Sequence, residues 1–175
     1  MNVDGLVDLV VGRVTDCYKQ HDLCCSESVM VVLNRVFGSG LSDLAVVQMA
    51  SGFCHGLGGA GCCCGALSGS EVMLSLFLGP HQGHGLTKTT FRKMIRGMHD
   101  DFRQKFGSTC CRVLSKKVKH DGKSHRLNCL MLTQGGVELA THKLLLSRPD
   151  LAKTADIEFL KQRTHPICHS PSSST

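Results

Sequence analysis

The spacing of apolar residues constrains the fold of this chain most strongly, because it follows the period of an α-helix. In the first segment, apolar side chains recur every three or four residues and so share one helical stripe. They are Val3, Leu6, Val7, Val10, Val11 and Val14. β-Branched residues that alternate with polar ones, as in a strand, are scarce. The pattern predicts an all-α fold, a multi-helix bundle around one core.

Capping and breaking residues divide the chain into further helices. Ser42 and Thr87 are suited to cap helix N-termini, while Gly38 and Gly107 are suited to end helices. Residues 52–65 are rich in glycine and hold four cysteines, which predicts a loop. After the first helix we expect helices at about 26–37, from 42, at 66–78, 88–106, around 111–114, at 127–146, and after 148–150.

The length of 175 residues suits one domain. No internal repeat or Pro/Ser-rich linker interrupts it before the C-terminus. We therefore expect one helical, cysteine-rich domain over residues 1–165. The serine-rich residues 166–175 are expected to form a flexible tail.

Positive charge is concentrated in residues 88–126, which carry 12 Lys/Arg against 3 Asp/Glu. Nucleic-acid binding is not favoured, because no nucleic-acid motif accompanies this charge. The chain also has no Trp and a single Tyr for stacking on bases. A solvated helix face is the simpler interpretation. A second is that these side chains offset the negative charge of thiolates.

Eleven cysteines are the chemically informative part of the composition. An odd number cannot close completely into disulfides within one chain. The N-terminus lacks the pattern of a secretory signal, and no apolar run reaches 18 residues, so no membrane insertion is expected. We expect a soluble, cytoplasmic protein, in which clustered cysteines are more often catalytic or metal-binding than structural.

Several cysteines fall where predicted helices begin, so that their side chains can reach a shared site. Cys25 precedes the second helix, Cys64 precedes the helix at 66–78, and Cys111 follows the break at Gly107. At a helix start, unpaired N–H groups and the helix dipole favour the thiolate. We therefore expect a lowered pKa for Cys64, which makes it the preferred nucleophile, with Cys25, if the chemistry is that of free thiols.

Four short cysteine-containing boxes follow one another along the chain. They are Cys25-Ser26-Glu27-Ser28-Val29, then Ala50-Ser51-Gly52-Phe53 with Cys64-Gly65-Ala66-Leu67-Ser68-Gly69, then Phe106-Gly107-Ser108-Thr109-Cys110-Cys111-Arg112, then Cys129 ahead of Val137-Glu138-Leu139-Ala140. Together these boxes resemble the C_GCAxxG_C_C family of redox-active proteins. The resemblance covers about residues 10–145, and the ordered boxes are specific together.

The resemblance implies a redox site on Cys25, Cys64, Cys111 and Cys129, with Cys62 as the next candidate. A similar domain accompanies the haem region of split-Soret cytochromes, where an iron–sulfur centre is implied. Covalent c-type haem is not expected, because the chain lacks Cys-x-x-Cys-His. Additional cysteines at 24, 62, 63 and 110 leave the ligand set open.

Three functions remain open from the sequence. An iron–sulfur centre for electron transfer is preferred over zinc, since zinc ribbons use paired Cys-x-x-Cys knuckles that are missing here. Metal-free thiol–disulfide or persulfide chemistry would use adjacent pairs such as Cys24 and Cys25. A helical interaction scaffold would use its cysteines only for packing. Whether the protein is an enzyme is left open; a redox partner protein and a homodimer are expected.

Overall fold

The computed structural model describes residues 2–20, 23–81 and 85–162. This part of the chain is helical, and an isolated β-bridge joins Cys63 and Cys110. The helices are α1 (Val3–Gln20), α2 (Cys25–Phe37), α3 (Asp43–Ser51), α4 (Cys54–Leu57), α5 (Gly65–Leu78), α6 (Lys88–Phe106), α7 (Cys111–Ser115), α8 (Gly122–Ser147), α9 (Leu151–Thr154) and α10 (Ile157–Lys161). The predicted all-α bundle with a Gly/Cys-rich loop is confirmed.

Helix α2 is the centre of the bundle and packs against α1, α3, α5 and α8. Its continuous apolar run, Val29–Leu33, is completely buried because neighbours surround the helix on all sides. Helix α1 has solvent on one side, so it buries Leu6, Val10 and Val14 and leaves Val3 exposed. We call α1, α2, α5 and α8 the helical frame.

Small residues allow the helices of the frame to approach closely. A Cβ atom at Gly69 of α5 would lie 3.1 Å from the Ser26 Cα atom of α2. A Cβ atom at Gly136 of α8 would lie 2.9 Å from the Ala66 carbonyl oxygen of α5. These glycines therefore bring the starts of α2 and α5 and the middle of α8 into one region of the molecule.

Helix α6 covers α5 and α8 with an amphipathic face, in which Met98 and Phe102 are completely buried. Part of the positive charge of α6 is paired within the helix, because Arg96 and Arg103 both form ion pairs with Asp100. The basic residues after α7 are exposed, as the interpretation of a solvated face requires; they are Lys116, Lys117, Lys119 and Lys123.

The predicted eighth helix consists of two short helices, α9 and α10, and α10 packs on α1 and α2. The Asp156 backbone N–H donates to the Val36 carbonyl oxygen at 2.9 Å. Phe159 is buried beneath the guanidinium of Arg13, 4.4 Å from the ring centre. The predicted tail, residues 166–175, lies outside the described residues.

Two further findings concern helix lengths. Helices α1 and α8 are longer than predicted, and the predicted loop at 52–65 contains the short helix α4. In the described part of the chain, no helix is long and apolar enough to cross a membrane.

Candidate functional site

A cavity of about 590 Å³ lies where the starts of α2, α5 and α7 meet the first half of α8. Cys25, Cys64, Cys111 and Cys129 all line it, although they are far apart in sequence. Arg112, Arg126, His55 and His125 add polar side chains to its lining. The remaining lining residues are Tyr18, Leu23, Cys24, Gly59, Gly61, Ser115 and Leu132.

The local structure explains how three of these cysteines come to the cavity. Cys25 is the first residue of α2, Cys64 is the N-cap of α5, and Cys111 is the first residue of α7. Cys129 differs because it lies inside α8, within a long helix that continues past the site. Helix ends and one helix face therefore supply the four thiols.

A short antiparallel pairing joins the segment before α5 to the segment before α7. The Cys64 N–H donates to the Thr109 carbonyl oxygen at 2.8 Å, and the Cys111 N–H donates to the Cys62 carbonyl oxygen at 2.6 Å. The Arg112 N–H donates to the Gly61 carbonyl oxygen at 3.0 Å. These backbone bonds fix the relative positions of Cys64 and Cys111.

Two glycines let the backbone pass directly beside cavity cysteines. Gly56 has a φ of +69°, and a Cβ atom there would lie 2.5 Å from the Cys111 Cβ atom. A Cβ atom at Gly65 would lie 2.6 Å from the Cys25 Sγ atom and 2.7 Å from the Phe53 carbonyl oxygen. Any larger residue would push these thiols away, so glycine is required at both positions for steric reasons.

Backbone N–H groups point at two of the sulfur atoms. Those of Ser26 and His55 donate to Cys25, and those of Ala66 and Leu67 donate to Cys64. His55 reaches its position with a φ of +55°, an uncommon conformation for a residue other than glycine. The strained loop thus supplies one of the donors to Cys25.

The pKa of Cys64 differs from the expectation. Burial, with a smaller contribution from the neighbouring Cys25, raises it to about 12, and the N–H groups of Ala66 and Leu67 oppose this only in part. The prediction of a lowered pKa is therefore wrong, because the desolvation of a nearly inaccessible thiol outweighs the helix start. Burial also raises the pKa of Cys25 and of Cys111.

Cys129 has neighbours that the sequence analysis did not identify. The Tyr18 hydroxyl hydrogen-bonds to its thiol, and the His125 Nε2 atom lies 3.7 Å from its Sγ atom. Burial raises the pKa of Cys129 to about 12, with Cys25 and Cys111 contributing in the same direction. The spacing of four residues within one helix could have identified His125 as a neighbour of Cys129. No local signal in the sequence identifies Tyr18.

A second group of sulfur atoms lies beside the cavity. Cys24 and Cys54 form a disulfide with a Cα–Cα distance of 5.9 Å. With Glu27 they provide three potential ligand atoms within 4.8 Å of one another, so this group could hold a metal ion when the disulfide is reduced. Among the described residues no other three such atoms are so close, and the cavity thiols are accordingly more widely spaced.

The remaining cysteines lie away from the cavity lining. Cys62, the expected fifth member, is exposed and is not among the lining residues. Cys63 and Cys110 are half-buried in the antiparallel pairing, where the Cys110 Sγ atom lies 3.1 Å from the Gly61 carbonyl oxygen. Cys17 is completely buried in the core, and Cys168 lies outside the described residues.

Comparison with known proteins adds one finding. The model of the family described as "Putative redox-active protein (C_GCAxxG_C_C)" matches residues 23–143. The match spans more than two thirds of the chain and includes Cys25, Cys64, Cys111 and Cys129. Searches of curated proteins and of solved structures found no significant match to the chain.

Proposed function

Since this chain belongs to the C_GCAxxG_C_C family of redox-active proteins, we propose that it is an electron-transfer protein. Its cavity would hold an iron–sulfur centre on Cys25, Cys64, Cys111 and Cys129. One observation carries the proposal: thiols from four separate segments line a single cavity of about 590 Å³. Four cysteine thiolates are the ordinary ligand set of [2Fe–2S] and [4Fe–4S] centres.

The spacing of the thiols supports a centre larger than one metal ion. A tetrahedral zinc site with Zn–S bonds of about 2.3 Å brings its sulfur atoms to roughly 3.8 Å from one another. Within the described residues, no three cavity thiols lie within 4.8 Å of one another. A single zinc ion would therefore require the four segments to move together, whereas a cluster of several atoms accepts ligand sulfur atoms that are more widely spaced.

The surroundings of the sulfur atoms also suit such a centre, which supplies one-electron oxidation and reduction when it is bound. N–H groups of Ser26 and His55 hold Cys25, and those of Ala66 and Leu67 hold Cys64. Hydrogen bonds of this kind stabilise thiolate ligands and shift the reduction potential. Tyr18 contributes a further hydrogen bond to Cys129.

Metal-free chemistry at the four cavity thiols is less well supported. Burial raises the pKa of each of them, and to about 12 for Cys64 and Cys129, so few thiolates form near pH 7 without a cation. A bound cation reverses this preference, because ligand thiols lose their protons as the metal binds.

The proposal includes a location and partners. We expect the protein in the cytoplasm, where the cavity thiols stay reduced, with a separate redox protein exchanging electrons with the centre. The homodimer also remains a prediction. Exposed apolar side chains, such as Leu44 at 60% and Leu146 at 85%, are consistent with it.

The test is to measure iron, zinc and acid-labile sulfide, with a visible spectrum, on protein purified without oxygen. We expect iron and sulfide in stoichiometric amounts, and their loss in Cys64→Ser and Cys111→Ser. Cys62→Ser is the matched control, because Cys62 is exposed beside the same loop and should be dispensable. Protein that contains zinc alone, or takes up no iron and sulfide on reconstitution, would contradict the proposal.

A further inference from the structure

The Cys24–Cys54 pair is distinct from the four cavity thiols and has its own environment. The pair joins the residue before α2 to the first residue of α4. Cys24 also lines the cavity, whereas Cys54 does not. Both residues are half-buried, so solutes can approach the pair from the cavity side.

We propose that Cys24 and Cys54 form a second, two-electron redox site that exchanges with small anionic thiols and disulfides of the glutathione class. The disulfide is one of its two working states, and the dithiol is the other. This site is separate from the proposed iron–sulfur centre and does not depend on it.

Ser26 gives the reduced state a stable set of partners. Its Oγ atom lies 3.2 Å from the Cys24 Sγ atom and 3.3 Å from the Cys54 Sγ atom. The Ser26 hydroxyl proton is already donated to the Ala50 carbonyl oxygen at 2.9 Å. Both lone pairs of the Ser26 oxygen can therefore accept, one from each thiol of the reduced pair. Ser26 therefore provides an acceptor for each thiol when the pair is reduced.

Glu27 fixes the backbone of the pair without closing off its sulfur atoms. One carboxylate oxygen accepts the Cys24 N–H at 2.8 Å, and the other accepts the Ser51 hydroxyl at 2.7 Å. This carboxylate therefore ties the Cys24 backbone to the end of α3, the helix that precedes Cys54. The two cysteines stay within bonding range in either redox state because their backbones are held.

The positive charge in the lining of the cavity that Cys24 borders indicates the class of exchange partner. Arg112 and Arg126 line the same cavity and are exposed, and His125 is a further lining residue. Positive charge at a cavity mouth raises the local concentration of anions. A small thiol compound that carries carboxylates fits this entrance better than a neutral or cationic one.

The reaction proceeds through a mixed disulfide. The Cys24 sulfur, which faces the cavity, attacks one sulfur of the small disulfide; the S–S bond breaks, and the leaving thiol takes the proton of Cys24. The Cys54 sulfur then attacks the Cys24 sulfur of the mixed disulfide, and a second small thiol leaves with the proton of Cys54. Two protein thiols are oxidised and one small disulfide is reduced to two thiols. Excess small thiol reverses both steps.

The test equilibrates the folded protein with glutathione buffers of graded ratio, without oxygen, followed by acid quench, alkylation and peptide mass spectrometry. As the share of oxidised glutathione rises, we expect Cys24 and Cys54 to change together from alkylated thiols to a cross-linked pair. Excess reduced glutathione should restore both thiols. In Cys54→Ser, glutathione should be trapped on Cys24. In Cys24→Ser, glutathione should attach to Cys54 at least tenfold more slowly than it attaches to Cys24 in Cys54→Ser. Cys62→Ser should leave the titration unchanged.

Every outcome decides the proposal. A pair that stays cross-linked in excess glutathione and dithiothreitol is a structural disulfide, and a pair that never cross-links is not a redox site; either result overturns it. The same titration in Cys64→Ser separates the two proposals, because the pair should still titrate when the iron–sulfur centre is lost. If Cys24 and Cys54 no longer titrate in Cys64→Ser, although its helical content is unchanged, then the pair is not independent of the iron–sulfur centre and the proposal is wrong.

Discussion

The helical frame and the loop that faces it use the same residue type in opposite ways. Cys17 lies in the core of the frame, and Cys64 lies where the Gly/Cys-rich loop enters α5. Burial raises the pKa of both thiols to about 12. Burial and pKa therefore do not distinguish a packing cysteine from a candidate ligand. The difference is that Cys64 borders a cavity shared with other thiols, whereas Cys17 is not among the residues that line it.

The largest effect is expected when the loop is forced away from the cavity. In Gly65→Ala the new methyl group would overlap the Cys25 Sγ atom and the Phe53 carbonyl oxygen. We expect complete loss of the iron–sulfur centre and a decrease of about 1–3 kcal/mol in the free energy of unfolding. Iron and sulfide analysis with urea unfolding measures both.

Gly58→Ala is the control for this substitution in the same loop. Gly58 has a φ of +63° with nothing within 4 Å of a Cβ atom, so alanine there is strained but does not touch the cysteines. We expect a cost of about 1–2 kcal/mol with the centre retained. If both variants keep the centre, the close contact at Gly65 does not position Cys25.

A second prediction concerns alkaline pH and metal-free protein. In the unfolded chain a thiol ionises near its ordinary pKa of 9.0, whereas Cys17 and Cys64 stay protonated up to about 12 when folded. Above pH 9 the folded state therefore binds more protons than the unfolded chain. The contribution of each buried thiol to the free energy of unfolding is complete below pH 9 and is lost as the pH rises towards 12. Between pH 9 and 10.5 we expect a loss of about 2 kcal/mol per thiol.

Variants make this prediction specific to residues. In urea unfolding across that pH range, Cys17→Val and Cys64→Ala should each flatten the decline by a similar amount. Cys62→Ser, which alters an exposed side chain, should leave the decline as it is. Equal slopes in all four proteins would show that burial does not hold these two thiols protonated.

The smallest effect is expected in the frame, on the side that faces solvent. Gly12 lies inside α1, is exposed, and has nothing within 4 Å of a Cβ atom. Gly12→Ala should therefore raise the free energy of unfolding by about 0.5–1 kcal/mol, because alanine favours the helix. Metal content should not change. A destabilised variant would mean that this face of α1 contacts something other than solvent.

The sequence predicted the frame well because local rules determine it. Ser42 and Thr87 cap α3 and α6 through their side chains, and Gly38 and Gly107 end α2 and α6 in left-handed conformations, as expected. The predicted helix bounds were wrong mainly at α1 and α8, because these helices continue through residues with little apolar periodicity.

The site was harder to predict because it depends on distant contacts. The four cysteines were chosen by resemblance, and the structure brings them to one cavity. The contacts of Tyr18 with Cys129 and of Cys24 with Cys54 join residues 111 and 30 positions apart, and no local pattern encodes them. The pKa of Cys64 was predicted in the wrong direction because its burial is a property of the packed fold.

The antiparallel pairing between the segments before α5 and α7 bears on how the protein is made. Its bonds join backbone groups of Gly61, Cys62 and Cys64 to those of Thr109, Cys111 and Arg112, so they need no ligand on any sulfur. The apolar core forms by burial alone. The chain can therefore fold before any cofactor is bound. The proposed iron–sulfur centre would then be inserted into a folded protein, and its loss would leave a folded protein that can bind a new one.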